Sequence, residues 1–482
     1  MNHRVVLALA CLLLFIQCVV LIQTRWVEDE SWNTDESVTW MREGRLRMSS
    51  FNADLASVVD ARPPLTPIGM GTTFRLFGIG IAQARMFSVV AGIGTVIVVW
   101  LLALSFWGPL AASLSAMAAA TDLFIVIASR TARPEIHCAF FCSLALLLFY
   151  KAREKNSFLL ALGSSLSLGA ALNFHPHGVG FVAAIGVLLL IEFRARVFLE
   201  KRFWALVAGV ALSIAPFAIW ICSAPVNLQA FRQVYLGRLA VPLSEKLAAE
   251  WPRYADFLGF GNRKVPLIGS VPVRLHLALI LLAAFVLVYR KNRKLAIELG
   301  VVVVVNLLWW ADQVSKGPRY FAVIAPIFSV IVGVGLAQLS TLGKRRRQAS
   351  ALLFLLYAGT QLAGNVLWIR LGRKADYPQV AQGLRAAIPP GASVYGAITF
   401  YMALNDRVYY SYDRTPFPYA LANLHPQYLI LWDRVMMHGS GTGLDDFVGL
   451  RGQLTSFVRD HATLAARVPN EFYGGLEVYK VQ

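Results

Sequence analysis

Long apolar blocks separated by short polar stretches run from Val5 to Ile369, and beyond Arg370 the pattern changes to short alternating segments. A helix rises about 1.5 Å per residue, so crossing about 30 Å of hydrocarbon takes about 20 mostly apolar residues. About eleven blocks read as such spans: Val5–Ile22, Ala84–Phe106, Pro109–Ala128, Glu135–Tyr150, Phe158–Asn173, Val179–Phe193, Phe203–Cys222, Val273–Tyr289, Leu295–Trp310, Tyr320–Leu339 and Ser350–Ile369. Pro64–Gly80 mixes Ile68, Met70, Phe74 and Phe77 with Arg75 and four glycines, and reads as a helix lying on the membrane surface. Thr34–Met48 is a second such stretch, with Val38, Met41 and Met48 interleaved with Arg42, Arg45 and Arg47. After Arg370, Tyr377–Ala387 and Asp445–Asp460 predict helices. Ser393–Tyr395, Arg407–Tyr410, Tyr428–Trp432, Leu464–Val468 and Leu476–Val481 predict strands. The predicted fold class is mainly α: a polytopic transmembrane helix bundle over residues 1–369, followed by a small soluble α/β domain over 370–482.

Composition agrees with the block pattern. The 482 residues are 57% hydrophobic and 15% charged, with mean hydropathy +0.58. A soluble domain is nearer 45–50% apolar and about 25% charged. The net charge of +18 would point to nucleic acid in a soluble protein. Here the basic residues gather in short loops: Lys151–Lys155, Arg194–Arg202, Arg290–Lys294 and Lys344–Arg347. Each cluster follows an even-numbered span, so all share one face, which is cytoplasmic by the positive-inside rule. No nucleic-acid partner is expected. The N-terminus is then cytoplasmic, with Val5–Ile22 an uncleaved signal anchor because no small-x-small site follows it. The opposite, periplasmic or lumenal face carries the first loop (23–83), the long loop (223–272) and the C-terminal domain. The five cysteines lie in or at the ends of apolar runs, without metal-ligand spacing, and read as small packing residues.

Side chains with chemistry concentrate on that outer face. Asp35 and Glu36 follow the first span. They read either as first-turn acids behind a Thr34 cap or as a general base mounted on a helix start. Arg130-Thr-Ala-Arg133-Pro134-Glu135-Ile-His137 also fits a helix start, with Pro at the first position, and adds an acid preceded by two arginines. His175 and His177 form a His-x-His without a third ligand at a recognisable spacing, so capping or phosphate contact is favoured over metal binding. Arg62, Lys316, Arg319 and Tyr320 stand at the outer interface, where positive charge runs against the loop bias. Headgroup contact explains them, and so does a bound phosphate. Asp122 lies inside the third span, towards its outer end, where it can help shape a pocket.

In this order and sidedness the motifs resemble those of the polytopic GT-C glycosyltransferases, above all the bacterial aminoarabinose transferase (ArnT) and protein mannosyltransferase group. The residues that carry the resemblance are Asp35-Glu36, Arg62-Pro63-Pro64-Leu65, Leu76-Phe77-Gly78, Ala84-Arg85, Arg133-Pro134-Glu135 and Arg319-Tyr320-Phe321 with Pro326. The resemblance implies a sugar transferred with inversion from a polyprenyl-phosphate donor to an acceptor on the periplasmic face of the bacterial inner membrane. It makes Asp35 the catalytic base, with Glu36 beside it, and maps the family's second acid, usually Asp, near Glu135. Arg62 and Arg319 would hold the donor phosphate, with Arg133, His175, His177, Lys316 and Tyr320 as further substrate-binding candidates. The family's lysine near the outer end of the fifth span has no counterpart; His175 and His177 occupy that region. No cofactor is assigned, and a divalent cation (Mg or Mn) stays open as a source of neutralising charge. A lipid or polysaccharide transporter is the alternative, but it calls for midplane polar residues or a two-fold repeat of interrupted helices, and no repeat is visible. A scaffold whose soluble tail binds a partner is a third reading.

Overall fold

The computed structural model describes residues 2–50, 62–232, 241–248, 250, 275–312, 318–412, 415–432 and 444–482. The chain divides into two compact units that interleave in sequence. The first comprises Met1–Val20, Ala61–Thr66 and Arg85–Ile369; the second comprises Leu21–Asp60, Pro67–Ala84 and Arg370–Gln482.

Among the described residues the first ten α-helices are α1 (His3–Val19), α2 (Glu28–Glu43), α3 (Leu65–Phe77), α4 (Ile81–Trp107), α5 (Pro109–Thr121), α6 (Leu123–Arg130), α7 (Glu135–Lys155), α8 (Phe158–Phe174), α9 (Gly178–Phe193) and α10 (Lys201–Cys222). Among the described residues, five helices are long and apolar enough to cross a membrane, or six if the bent pair α5–α6 is one span. Leu212, Ile219, Leu352 and Leu355 are each about two-thirds exposed, as side chains facing lipid would be. Helices without a water-driven reason to associate pack through small residues. In the first unit α8 and α10 meet this way: a Cβ on Gly169 would stand 2.1 Å from Ser213 Cβ, and one on Gly209 would stand 2.0 Å from Ser165 Oγ.

Asp122 breaks the third apolar block. Its side chain accepts from the amides of Phe124 (2.9 Å) and Ile125 (3.1 Å), capping α6, and the two helices bend by 56° there. Its second oxygen accepts from Gln361 Nε2 at 3.0 Å. Asn365 joins Gln17 Oε1 to the Thr121 carbonyl, and Arg130 donates to the Gln17 carbonyl at 2.8 Å. These buried polar groups tie α1, α5, α6 and the Lys344–Gly372 helix together.

The second unit contains a five-stranded sheet in the order β2-β1-β3-β5-β4. The strands are β1 (Ser393–Gly396), β2 (Val408–Ser411), β3 (Tyr428–Trp432), β4 (Ala462–Asn470) and β5 (Gly474–Val481). β1 runs parallel to both β2 and β3, and β5 runs antiparallel to β3 and β4. The Tyr377–Ala387 helix starts on an Asp376 cap.

The polar helix of the first loop differs from its expected span. It starts at Glu28 rather than Thr34 and ends at Gly44, whose φ of 69° stops it in the left-handed region. Its first-turn acids are therefore Glu28, Asp29 and Glu30, which complement the helix dipole, and Asp35 and Glu36 lie in its middle. Glu30 through Thr39 are buried apart from Trp32. Partners from distant sequence supply the polar contacts: Ser31 Oγ donates to the Thr399 carbonyl at 3.3 Å, and Tyr473 Oη donates to the Trp26 carbonyl at 2.8 Å.

Candidate functional site

Two side-chain groups, one in each unit, contain most of the predicted residues. In the second unit, Asp35 is fully buried and receives four hydrogen bonds. Ser49 donates to Oδ1 from its amide (3.0 Å) and its hydroxyl (2.6 Å). Ser50 donates to Oδ2 from its amide (3.0 Å) and from its hydroxyl. Burial pushes the carboxyl above the ordinary aspartate value, and the four donors pull against that rise without cancelling it. The result is a basic, fixed carboxylate. Glu36 is buried beside it on α2.

In the first unit, Pro134 stands at the N-cap position of α7, and Glu135 lies in its first turn. Arg133 reaches over the turn and grips Glu135, with Nη2 2.7 Å from Oε1 and Nε 3.2 Å from Oε2. The pair is nearly dry, the side chains being 13% and 2% exposed. Arg319 Nε stands farther off, 3.9 Å from Glu135 Oε1, and its side chain is 39% exposed. Arg319 also donates to Tyr320 Oη at 3.2 Å, with its guanidinium 5.1 Å from that ring. Tyr320 in turn meets the rings of His177 (4.5 Å) and His175 (5.5 Å). The His177 amide donates to His175 Nδ1 at 3.2 Å, which fixes that nitrogen as an acceptor. The structure thus brings Arg133, Glu135, Arg319, Tyr320, His175 and His177 into one group. Arg62 is half-buried in the same unit, and Lys316 lies outside the described residues.

His137, which closes the Arg130–His137 run, was given no role by the sequence. It is buried between Phe87 and Phe174, at ring distances of 4.1 and 4.8 Å, and contacts the Arg133 carbonyl through Nδ1 at 3.3 Å. Ser49, Ser50 and Tyr401 were missed as well. Nothing local marks them, because Tyr401 is 352 residues beyond Ser49. Among the described residues, no group of three or more His, Cys, Asp or Glu side chains is arranged to hold a metal ion.

A two-part architecture of apolar helices and a small α/β sheet is shared with solved structures. ArnT from Cupriavidus metallidurans in the apo state matches with TM-score 0.69 at 15% identity, over 99% of this chain and 97% of that one. The fold is that of the GT-C glycosyltransferases. The same enzyme bound to undecaprenyl phosphate matches with TM-score 0.66 at 15% identity, over 99% and 98% of the two chains. The Archaeoglobus fulgidus oligosaccharyltransferase in its apo form matches with TM-score 0.57 at 12% identity, over 89% of this chain and 69% of that one. By sequence, the family model described as dolichyl-phosphate-mannose-protein mannosyltransferase matches residues 61–220, which include the Arg133–Glu135 turn and both histidines. An uncharacterized protein from Aquifex aeolicus (strain VF5) is 29% identical over 164 residues, 34% of this chain. The match spans about a third of that relative, 32% of its length. The Asp35 group can accept a proton, and the Arg133–Arg319 group can hold an anion.

Proposed function

We propose that this chain is a membrane glycosyltransferase that moves a sugar from a polyprenyl-phosphate donor to a lipid, glycan or protein acceptor on the periplasmic face, with inversion. The observation that carries the reading is the Asp35 carboxylate. It is oriented by four donors and raised in basicity, which suits a general base for a hydroxyl or amine. Asp35 takes the acceptor's proton while the acceptor oxygen or nitrogen bonds to the anomeric carbon. The bond from that carbon to the phosphate oxygen breaks, and the electron pair leaves with the polyprenyl phosphate. A single displacement of this kind inverts the anomeric centre.

The leaving phosphate needs its charge neutralised. Arg319 suits this role, because its contact to Glu135 is long and its side chain is partly exposed. Arg133 is committed to Glu135 in a fork and holds the turn. Similarity to an ArnT structure bound to undecaprenyl phosphate supports a lipid-phosphate donor. The eleven spans, the cytoplasmic N-terminus, the periplasmic C-terminal domain of residues 370–482 and the bacterial inner membrane belong to this proposal. The spans rest on the apolar blocks, the orientation on the distribution of basic loops, and the bacterial membrane on the family resemblance.

Mass spectrometry of envelope lipids and glycans from cells with and without the protein tests the reading. A sugar-bearing species that needs the protein, and that disappears in Asp35→Asn cells, is the expected result. The bent α5–α6 pair with its buried Asp122 favours the transporter as a second reading. Movement of labelled lipid in proteoliposomes with no covalent product would establish it and exclude transfer.

A further inference from the structure

We propose that the C-terminal α/β fold is the mount of the acceptor base, with Tyr401 acting as a positioning residue for Asp35 through Ser49. The inference rests on Asp35 being that base, and it gives the soluble tail a place in the reaction.

Two contacts converge on the serine pair that grips Asp35, and both come from the ends of parallel strands. Tyr401 follows β1 in the short helical turn Ile398–Ala403, and its Oη stands 3.3 Å from Ser49 Oγ. The Ser411 amide, at the end of β2, donates to the Ser50 carbonyl at 3.0 Å. Ser49 has one hydroxyl proton, and the 2.6 Å bond to Asp35 uses it. Tyr401 Oη meets the same hydroxyl at 3.3 Å and also hydrogen-bonds the Asp35 carboxyl, so phenol, serine and carboxylate form one network. In an open α/β sheet the carboxyl ends of parallel strands are where functional groups collect.

The rest of the unit holds this arrangement from both sides. Tyr401 is 1% exposed, and its ring meets Tyr409 of β2 edge-on at 6.0 Å. Arg42, near the end of α2, donates to the Asn405 carbonyl at 2.9 Å, clamping the helix to the segment that follows Tyr401. Tyr377 donates to the Thr399 carbonyl at 2.8 Å and accepts from the Ala403 amide at 3.2 Å, which fixes the same turn from behind. Burial and the Asp35 charge raise the Tyr401 phenol well above its ordinary value, so it stays a donor. The other charge acting on that phenol is Arg42.

The test is pH-difference infrared spectroscopy of the purified full chain in detergent, which needs no substrate. The protonated-carboxyl band that Asp35→Asn removes reports Asp35. In Tyr401→Phe the phenol leaves the network, and the midpoint of that band should rise by about half a unit to one unit, as for loss of one hydrogen bond. Cells carrying Tyr401→Phe should form the protein-dependent sugar species about three- to tenfold more slowly. A purely structural tyrosine would change protein yield and leave the midpoint in place. An unchanged midpoint in folded Tyr401→Phe overturns the mount and leaves Asp35 as the base. If that variant does not fold, 3-fluorotyrosine at position 401 makes a stronger donor and should lower the midpoint; no shift overturns the proposal. Asp35→Asn cells that still form the species overturn the base reading, and with it the catalytic meaning of the mount.

Discussion

Replacing Arg319 with Met separates the two arginines of the first unit. Both contact Glu135, but at 2.7 Å for Arg133 and 3.9 Å for Arg319, with side-chain exposures of 13% and 39%. The longer, wetter contact contributes little to stability, since exposed ion pairs amount to about 0–1 kcal/mol. A bond from that guanidinium to a phosphate is charge-assisted and contributes about 1.5–3 kcal/mol. At about 1.4 kcal/mol per factor of ten, Arg319→Met should weaken binding of undecaprenyl phosphate roughly 10- to 150-fold while the unfolding midpoint barely moves. Arg133→Met should behave differently. It leaves the dry Glu135 carboxylate without its fork, which costs about 3–5 kcal/mol, so the thermal midpoint falls steeply. Equilibrium binding of undecaprenyl phosphate and thermal unfolding, both on the full chain in detergent, read the two effects. Binding within twofold of the parent by a folded Arg319→Met variant would refute the assignment of Arg319 to the phosphate.

Other expectations follow from the same geometry. The acid limb of activity should lie above the ordinary aspartate range, because burial raises Asp35 and the base works only when deprotonated; a pH profile of product formation checks this. Linkage has the opposite sign: a raised carboxyl pKa stabilises the fold below the unfolded value, and that contribution is lost as pH rises through the folded value, visible in unfolding midpoints against pH. Glu135→Gln keeps shape but removes the anion that shares the arginines, so phosphate binding should tighten several-fold while the thermal midpoint drops. Asp122→Ala removes the α6 cap and the Gln361 partner and should cost about 1–3 kcal/mol in unfolding experiments. Gly209→Val places its branched side chain against Ser165 and should lower the thermal midpoint by overpacking the α8–α10 contact.

The elements of the tail were legible because strand and helix periods are local. Tyr428–Trp432 has the same limits in pattern and structure, and the other strands differ only at their ends. The start of α2 was not legible. A polar run of Glu28–Glu43 has no apolar face to mark its register, and Thr34 offered a plausible cap inside it. Asp122 read as a residue inside one span because hydropathy is blind to a cap: the aspartate closes one helix and opens the next within an apolar run. The Arg133–Glu135 turn was legible because Arg-x-Glu across a helix start is a short-range contact.

What the linear pattern carries is chemistry with a local cause: apolar length, charged loops, caps, and acids on a polar segment. It singles out Asp35, Glu135 and Arg319 by type and predicts one side of the membrane for them. Which groups hold them is decided by contacts between residues hundreds of positions apart. Ser49 meets Tyr401 across 352 residues, and Ser31 meets the Thr399 carbonyl across 368. Such pairings leave no periodic trace, because they arise only when burial of the whole unit compels each polar group to find a partner. The tertiary structure therefore turned a polar surface helix into the buried support of a carboxylate.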